Sequence, residues 1–215
     1  MKYFTVTLRL AIAAIMYGSV IWQVADRVAH NLFRPTEYFQ YFTIQTALIS
    51  ATVTLISALQ AMRGRKESVR WSTTRLAVVT YEIVVGIIYN LLLRNTAPDV
   101  RDGNYAWPTL PNELLHVWAP ILITLDWVLS TGVGRLAFKR VWWILIFPFV
   151  WLMIMFGRGA IDSWYPYWFF DPTESSATTI ITYFLGIVGF MIAVGNLMVG
   201  VRRLSERWAK EQATH

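Results

Sequence analysis

The chain has 215 residues, 56% hydrophobic and only 15% charged, with a net charge of +6 and no cysteine. A soluble domain carries about 25% charged residues, so this composition points away from a soluble globular protein and toward a membrane-embedded one. The missing cysteines exclude disulfides, thiol catalysis and Cys-bound metals, whatever the compartment.

In chain order, six runs are free or nearly free of charge: 4–25, 38–62, 76–94, 111–131, 141–157 and 177–201. Crossing a hydrocarbon core of ~30 Å takes roughly 17–25 helical residues, and each run falls in that range. Runs of this length exclude an outer-membrane barrel, whose strands would be ~10 residues of alternating polarity. The first run follows Lys2 like a signal peptide, but its length reads as a first span. The expected fold is all-α: one domain over 1–215 of six transmembrane helices, with no separate soluble domain.

Orientation follows from Lys and Arg in the short connections. The N-terminus (Lys2, Arg9), the 63–75 and 132–140 loops and the tail hold fourteen, the alternate loops five. Both termini are therefore expected in the cytoplasm. This bias accounts for the net charge, so no nucleic-acid partner is expected, and basic clusters of this kind touch anionic headgroups.

Two further patterns carry expectations. Gly186, Gly189, Ala193, Asn196 and Gly200 recur at helical spacing in the sixth span, as do Ala11, Ala14 and Gly18 in the first. Small residues on one face let helices approach closely in lipid, so both stripes are expected at helix contacts. The aromatic loops NYAWPTLPN (104–112) and SWYPYWFFDPTE (163–174) read either as interfacial belts or as a cover over an outward-facing pocket.

Polar residues inside the runs form two strata. At a rise of ~1.5 Å per residue, Thr43 and His116 both lie ~7–8 Å below the outer surface. Gln40, Tyr89, Asn90, Asn112, Glu113 and Arg158 fall at similar depth, with Gln40 and Thr43 expected on one helix face and Asn112 and His116 on another. They are expected to line an outer-leaflet cavity. The inner stratum is Arg9, Glu82 and Asp126. Charges at depth are costly, so Arg9 is expected to pair one carboxylate, the other being protonated or hydrogen-bonded; proton or ion transport is the competing reading.

Threonine becomes a competent nucleophile when a neighbouring base takes its proton, and imidazole suits that role near neutral pH. Thr43 with His116 is therefore the candidate catalytic pair, with Asn90 or Arg158 as oxyanion donors and Gln40 and Asn112 as substrate contacts. The competing readings are a packed, hydrogen-bonded histidine and a threonine bonded back to its own helix. Glu113-Leu-Leu-His116 has a di-metal spacing without the second copy such sites need, so no metal and no cofactor are expected.

The segments YFQYFTIQTALIS, GIIYNLLLR, NELLHVWAPILITLDWVL and YPYWFFD resemble, in the same order, the signature stretches of the Pr6Pr bacterial membrane proteins. These are relatives of the androgen-induced and androgen-dependent membrane proteins of animals, which hydrolyse fatty acid esters of hydroxy fatty acids. The resemblance covers roughly residues 35–175. It implies a multi-pass protein of the bacterial plasma membrane. It further implies an intramembrane threonine-type hydrolase of lipid esters, with Thr43 in YFTIQ as nucleophile and His116 in NELLHVWAP as base. Expected partners are membrane lipids and a lipidic ester. The alternative is a non-enzymatic binder or transporter of a lipidic or small polar ligand that works through Glu82 and Asp126.

Overall fold

The computed structural model describes residues 2–96, 99–103, 105–130 and 136–213. Asn104, Thr131, Arg135 and His215 lie outside the described residues, as do the side chains of Lys2 and Lys210. Among the described residues there is no strand, and the helices run in sequence as follows. They are α1 (Lys2–Ala29), the single turn α2 (Pro35–Tyr38), α3 (Phe42–Met62), α4 (Val69–Ile88), α5 (Thr109–Glu113), α6 (Ala119–Leu129), α7 (Ile146–Asp162) and α8 (Ala177–Ala213). A π-helical turn, Tyr89–Leu93, prolongs α4, and another, Leu114–Trp118, joins α5 to α6; a 3₁₀ segment, Phe138–Leu145, leads into α7.

Among the described residues, five stretches are long and apolar enough to cross a membrane: Tyr3–Ala29, Phe42–Met62, Val69–Leu93, Phe138–Asp162 and Ala177–Arg207. The chain is thus an all-α, multi-pass membrane protein. The expected span at 111–131 differs from these. It is helical in three pieces and carries Glu113, His116 and Asp126.

Pro120 explains its break. It has no N–H to offer the carbonyl of His116, and its ring crowds that carbonyl. The chain widens by one residue instead, and Ala119 N–H donates to Leu114 O. Gly86 of α4 makes room for the result, since a Cβ there would lie 3.1 Å from the His116 carbonyl oxygen.

The second expected span also starts differently. Helix begins at Phe42, not Tyr38, because residues 39–41 turn between α2 and α3. Gln40 therefore precedes α3 and does not share a helical face with Thr43. The polar residues of this opening serve the break: Gln45 Nε2 donates to Phe39 O at 2.8 Å, and Trp151 Nε1 donates to Gln40 O at 2.9 Å.

α4 is the central helix, packed between α3, α6, α8 and the 3₁₀ segment, while α1 lies along α3. One apolar core joins Leu76, Val79, Val84, Trp127, Ile144 and Met198; a second joins α1 and α3 through Ile12, Met16, Ala47 and Ala51. Neither small-residue stripe is a helix contact. A Cβ added to Gly18, Gly186, Gly189 or Gly200 would meet nothing within 4 Å, and Ala11, Ala14 and Ala193 are exposed. α8 packs instead through Met191, Val194, Met198 and Val199, with Gly195 set against Ile144 and Val141.

Candidate functional site at Thr43 and His116

The chain's ends of α1, α3, α4, α5 and α7 meet on the side of the bundle away from the basic loops. They enclose a cavity of about 960 Å³ lined by Thr43, Tyr89, Asn112 and His116. Thr43 and His116 are almost fully buried, at 8% and 9% exposure. The structure therefore brings the two candidate catalytic side chains, from α3 and from the π turn before α6, to one cavity.

The ring of His116 is held on two sides. It stacks on Tyr89 with centroids 3.9 Å apart, and Nδ1 lies 2.9 Å from the Asn112 carbonyl oxygen. A carbonyl only accepts, so Nδ1 carries the hydrogen, and in the neutral ring Nε2 keeps its lone pair. Asn112 is fixed in turn, its Nδ2 donating to the Tyr89 hydroxyl at 2.6 Å.

Thr43 stands in the first turn of α3, which no side chain caps from Tyr41. Tyr167 lies beside it, lining the same cavity as Thr43, with its ring 5.9 Å from that of Tyr41 and 6.0 Å from that of Trp151. A helix start presents unpaired N–H donors and the positive end of its dipole. Thr43 and Tyr167 also border a second, apolar recess of about 70 Å³, walled by Phe42, Trp151, Phe169 and Phe184. A polar chamber and an apolar recess thus meet at the threonine.

The aromatic loop 163–174 builds this junction. Ser163 takes a left-handed conformation (φ 56°) that ends α7 and turns the chain inward. Phe169 and Phe170 are buried against Met155, and residues 163–168 wall the cavity. Here the pocket-cover reading describes the loop. In the other aromatic loop, Tyr105 donates to Asp26 at 2.9 Å, and Arg27 lies over Trp107 at 4.1 Å, tying the loop to α1.

Four residues expected at the cavity lie elsewhere. Asn90 does not line the cavity: its amide donates to Gly86 O at 2.7 Å and its carbonyl accepts from Arg94 at 2.9 Å. The π turn gives the inward place to Tyr89. Arg158 donates to Asp162 at 2.6 Å and to the Thr36 carbonyl, and it strapped α7 to α2 rather than facing the cavity. Gln40 is buried beside Trp151, outside the cavity lining. Glu113 pairs with Arg94 at 2.8 Å.

Around the mouth, Arg101 bridges Glu37 (2.8 Å) and Asp99 (2.5 Å), while Arg34 reaches Asp102 at 2.6 Å. Hydrogen bonds from Arg101 hold the Asp99 carboxyl below its ordinary value, and Asp99 and Glu37 hold Arg101 above its own.

The inner stratum is a buried polar knot. Arg9 donates to Asp126 (2.8 Å), Ser130 (2.7 Å) and the Ser57 carbonyl (3.1 Å). Arg75 joins it, donating to the other Asp126 oxygen at 2.6 Å and to Glu67 at 2.6 Å. Arg202 lies over Trp127 at 4.5 Å, with Glu67 4.0 Å away. Glu82 stands apart and accepts from Ser50 at 2.8 Å. Neither Glu82 nor Asp126 lines the cavity. Tyr167, Arg75 and Arg202 were not among the expected site or knot residues. The only signals were the aromatic loop for the first and topology-setting charge for the others.

No family model, curated protein or solved structure matches this chain.

Proposed function

We propose that this chain crosses the membrane six times, with both termini in the cytoplasm, and hydrolyses lipid-like esters at the cavity shared by Thr43 and His116. The observation that carries this reading is the position of Thr43. It borders both the polar cavity that holds His116 and the apolar recess behind Phe42 and Trp151. An amphiphilic ester laid across that junction would put the first few methylenes of its acyl chain in the recess, its polar part in the cavity and its carbonyl at the threonine.

In the proposed reaction, His116 Nε2 takes the Thr43 hydroxyl proton as Oγ1 attacks the ester carbonyl. The tetrahedral intermediate collapses to acyl-threonine, and the alcohol leaves with the proton from His116. Water, deprotonated by the same nitrogen, then releases the acid and restores Thr43. For the oxyanion, the donors that fit are the backbone N–H groups of Phe42 and Thr43 in the uncapped first turn of α3. They take the part first expected of Asn90 and Arg158. Binding or transport through Glu82 and Asp126 is the weaker reading, because neither residue reaches the cavity.

The test is labelling of the purified chain in detergent with a fluorophosphonate, the adduct being located by mass spectrometry. Labelling at Thr43 that is lost in Thr43→Ala and His116→Ala, and kept in Thr43→Ser, is the expected result. Folded wild type that takes no label, or label that survives both alanine variants, would overturn the hydrolase.

A further inference from the structure

A second cavity lies on the flank of the bundle, at its opposite, basic end. It measures about 700 Å³ and runs between α3, α4 and the segment leading into α7. Among the described residues no acidic residue lines it, and two arginines do, Arg70 from the start of α4 and Arg140 from the 3₁₀ segment. Neither guanidinium has a hydrogen-bond or ion-pair partner among the described residues. This sets them apart from Arg9, Arg75 and Arg101, each of which is paired. Unpaired cations beside a bilayer call for an anion.

The rest of the cavity is apolar and aromatic. Trp143 stands 60% exposed on one wall, with Phe147 below it and the buried ring of Tyr81 behind. From Arg70 to Tyr81 the helix advances ~16 Å, at 1.5 Å per residue. That is about one half of a ~30 Å hydrocarbon core, the depth of a single leaflet. Thr73 and Thr74 line the mouth, and each donates its hydroxyl hydrogen to its own helix, to Val69 O at 2.9 Å and Arg70 O at 3.4 Å. With their hydrogens so placed, the hydroxyl oxygens are left to accept from a hydroxylated headgroup.

We propose that this flank binds one anionic glycerophospholipid, its phosphate between Arg70 and Arg140 and an acyl chain along Trp143, Phe147 and Tyr81. Charge selects the headgroup and depth selects the chain. Each arginine near an anionic headgroup contributes about a five-fold preference, so the pair should favour an anionic over a zwitterionic lipid by about 30-fold.

The test is lipid retention by native mass spectrometry of the full chain, taken from mixed micelles of phosphatidylglycerol and phosphatidylcholine with matched chains. Wild type should keep one phosphatidylglycerol at about that preference. The Arg70→Gln/Arg140→Gln variant should lose the preference, and Ala77→Trp, which fills the trough, should lose the bound lipid. Arg63→Gln/Arg65→Gln removes two exposed loop arginines outside the cavity and should change nothing; melting temperatures of all variants show that each is folded. Equal retention of both lipids by wild type, or equal loss in the loop control, would reduce the effect to general surface charge and overturn the site. Displacement by millimolar inorganic phosphate alone would mark a free-anion site and overturn the lipid.

Discussion

Asp126 is the residue on which the buried knot turns, and replacing it should be costly in a calculable way. Its carboxylate serves two guanidiniums, Arg9 at 2.8 Å and Arg75 at 2.6 Å, and the side chains of Arg9 and Asp126 are only 7% and 4% exposed. Removing one partner of a buried ion pair costs about 3–5 kcal/mol, because the other charge stays behind uncompensated. Asp126→Asn leaves Arg9 without a carboxylate, while Arg75 keeps Glu67 at 2.6 Å. The new amide oxygen can accept from one guanidinium, while its NH₂ faces the other donor, so about 3–5 kcal/mol is expected. Arg9→Met should cost less, about 2 kcal/mol, since Asp126 keeps Arg75 and chiefly loses hydrogen bonds to a charged group. In the double variant the two losses should fall short of their sum by about 1 kcal/mol or more, as expected for residues in one network. The assay is reversible unfolding in mixed micelles, with each variant compared at a common denaturant concentration. A cost for Asp126→Asn within about 0.5 kcal/mol of zero, the range of an ordinary surface change, would mean that water reaches the knot and would refute this reasoning.

Packing and charge give three other predictions. Gly159→Ala should destabilise by about 1–3 kcal/mol, because a Cβ there overlaps the Tyr165 ring and drives it out of the cavity wall. Gly189→Ala meets nothing within 4 Å and should be neutral or stabilising by up to about 1 kcal/mol; the same unfolding assay checks both. At the cavity mouth, Asp99 has a folded-state pKa depressed by Arg101. Its contribution to stability is therefore fully present above the unfolded value of about 3.9 and is lost as pH falls through the lower folded value. Melting temperature should drop between pH 5 and pH 3 by less in Asp99→Asn than in wild type, and superimposable curves would count against the pairing.

Much of the helical plan was legible from charge-free length, because an uncharged run that long has few other homes. Depth was legible too. Counting residues from the run ends put Thr43 and His116 in one stratum, and Arg9 near Asp126. What counting could not supply was direction around a helix axis, where one residue is ~100°. The π turn at Tyr89–Leu93 is such a step, and it sends Asn90 to its own helix and Tyr89 to the ring of His116. The turn at 39–41 removes Gln40 from α3 in the same way.

By itself, then, the amino-acid sequence determined that the chain is a bundle of apolar helices with polar groups gathered at two depths. Hydrophobicity acts residue by residue and needs no partner. Tertiary structure decided which of those groups meet. Pro120 and Gly86 together set the carbonyl and ring of His116, the loop 163–170 carries Tyr167 to the start of α3, and Arg75 and Arg202 are drawn into the knot around Trp127. Each of these joins segments far apart in the chain, and only packing can select among the faces that a helix offers at one depth.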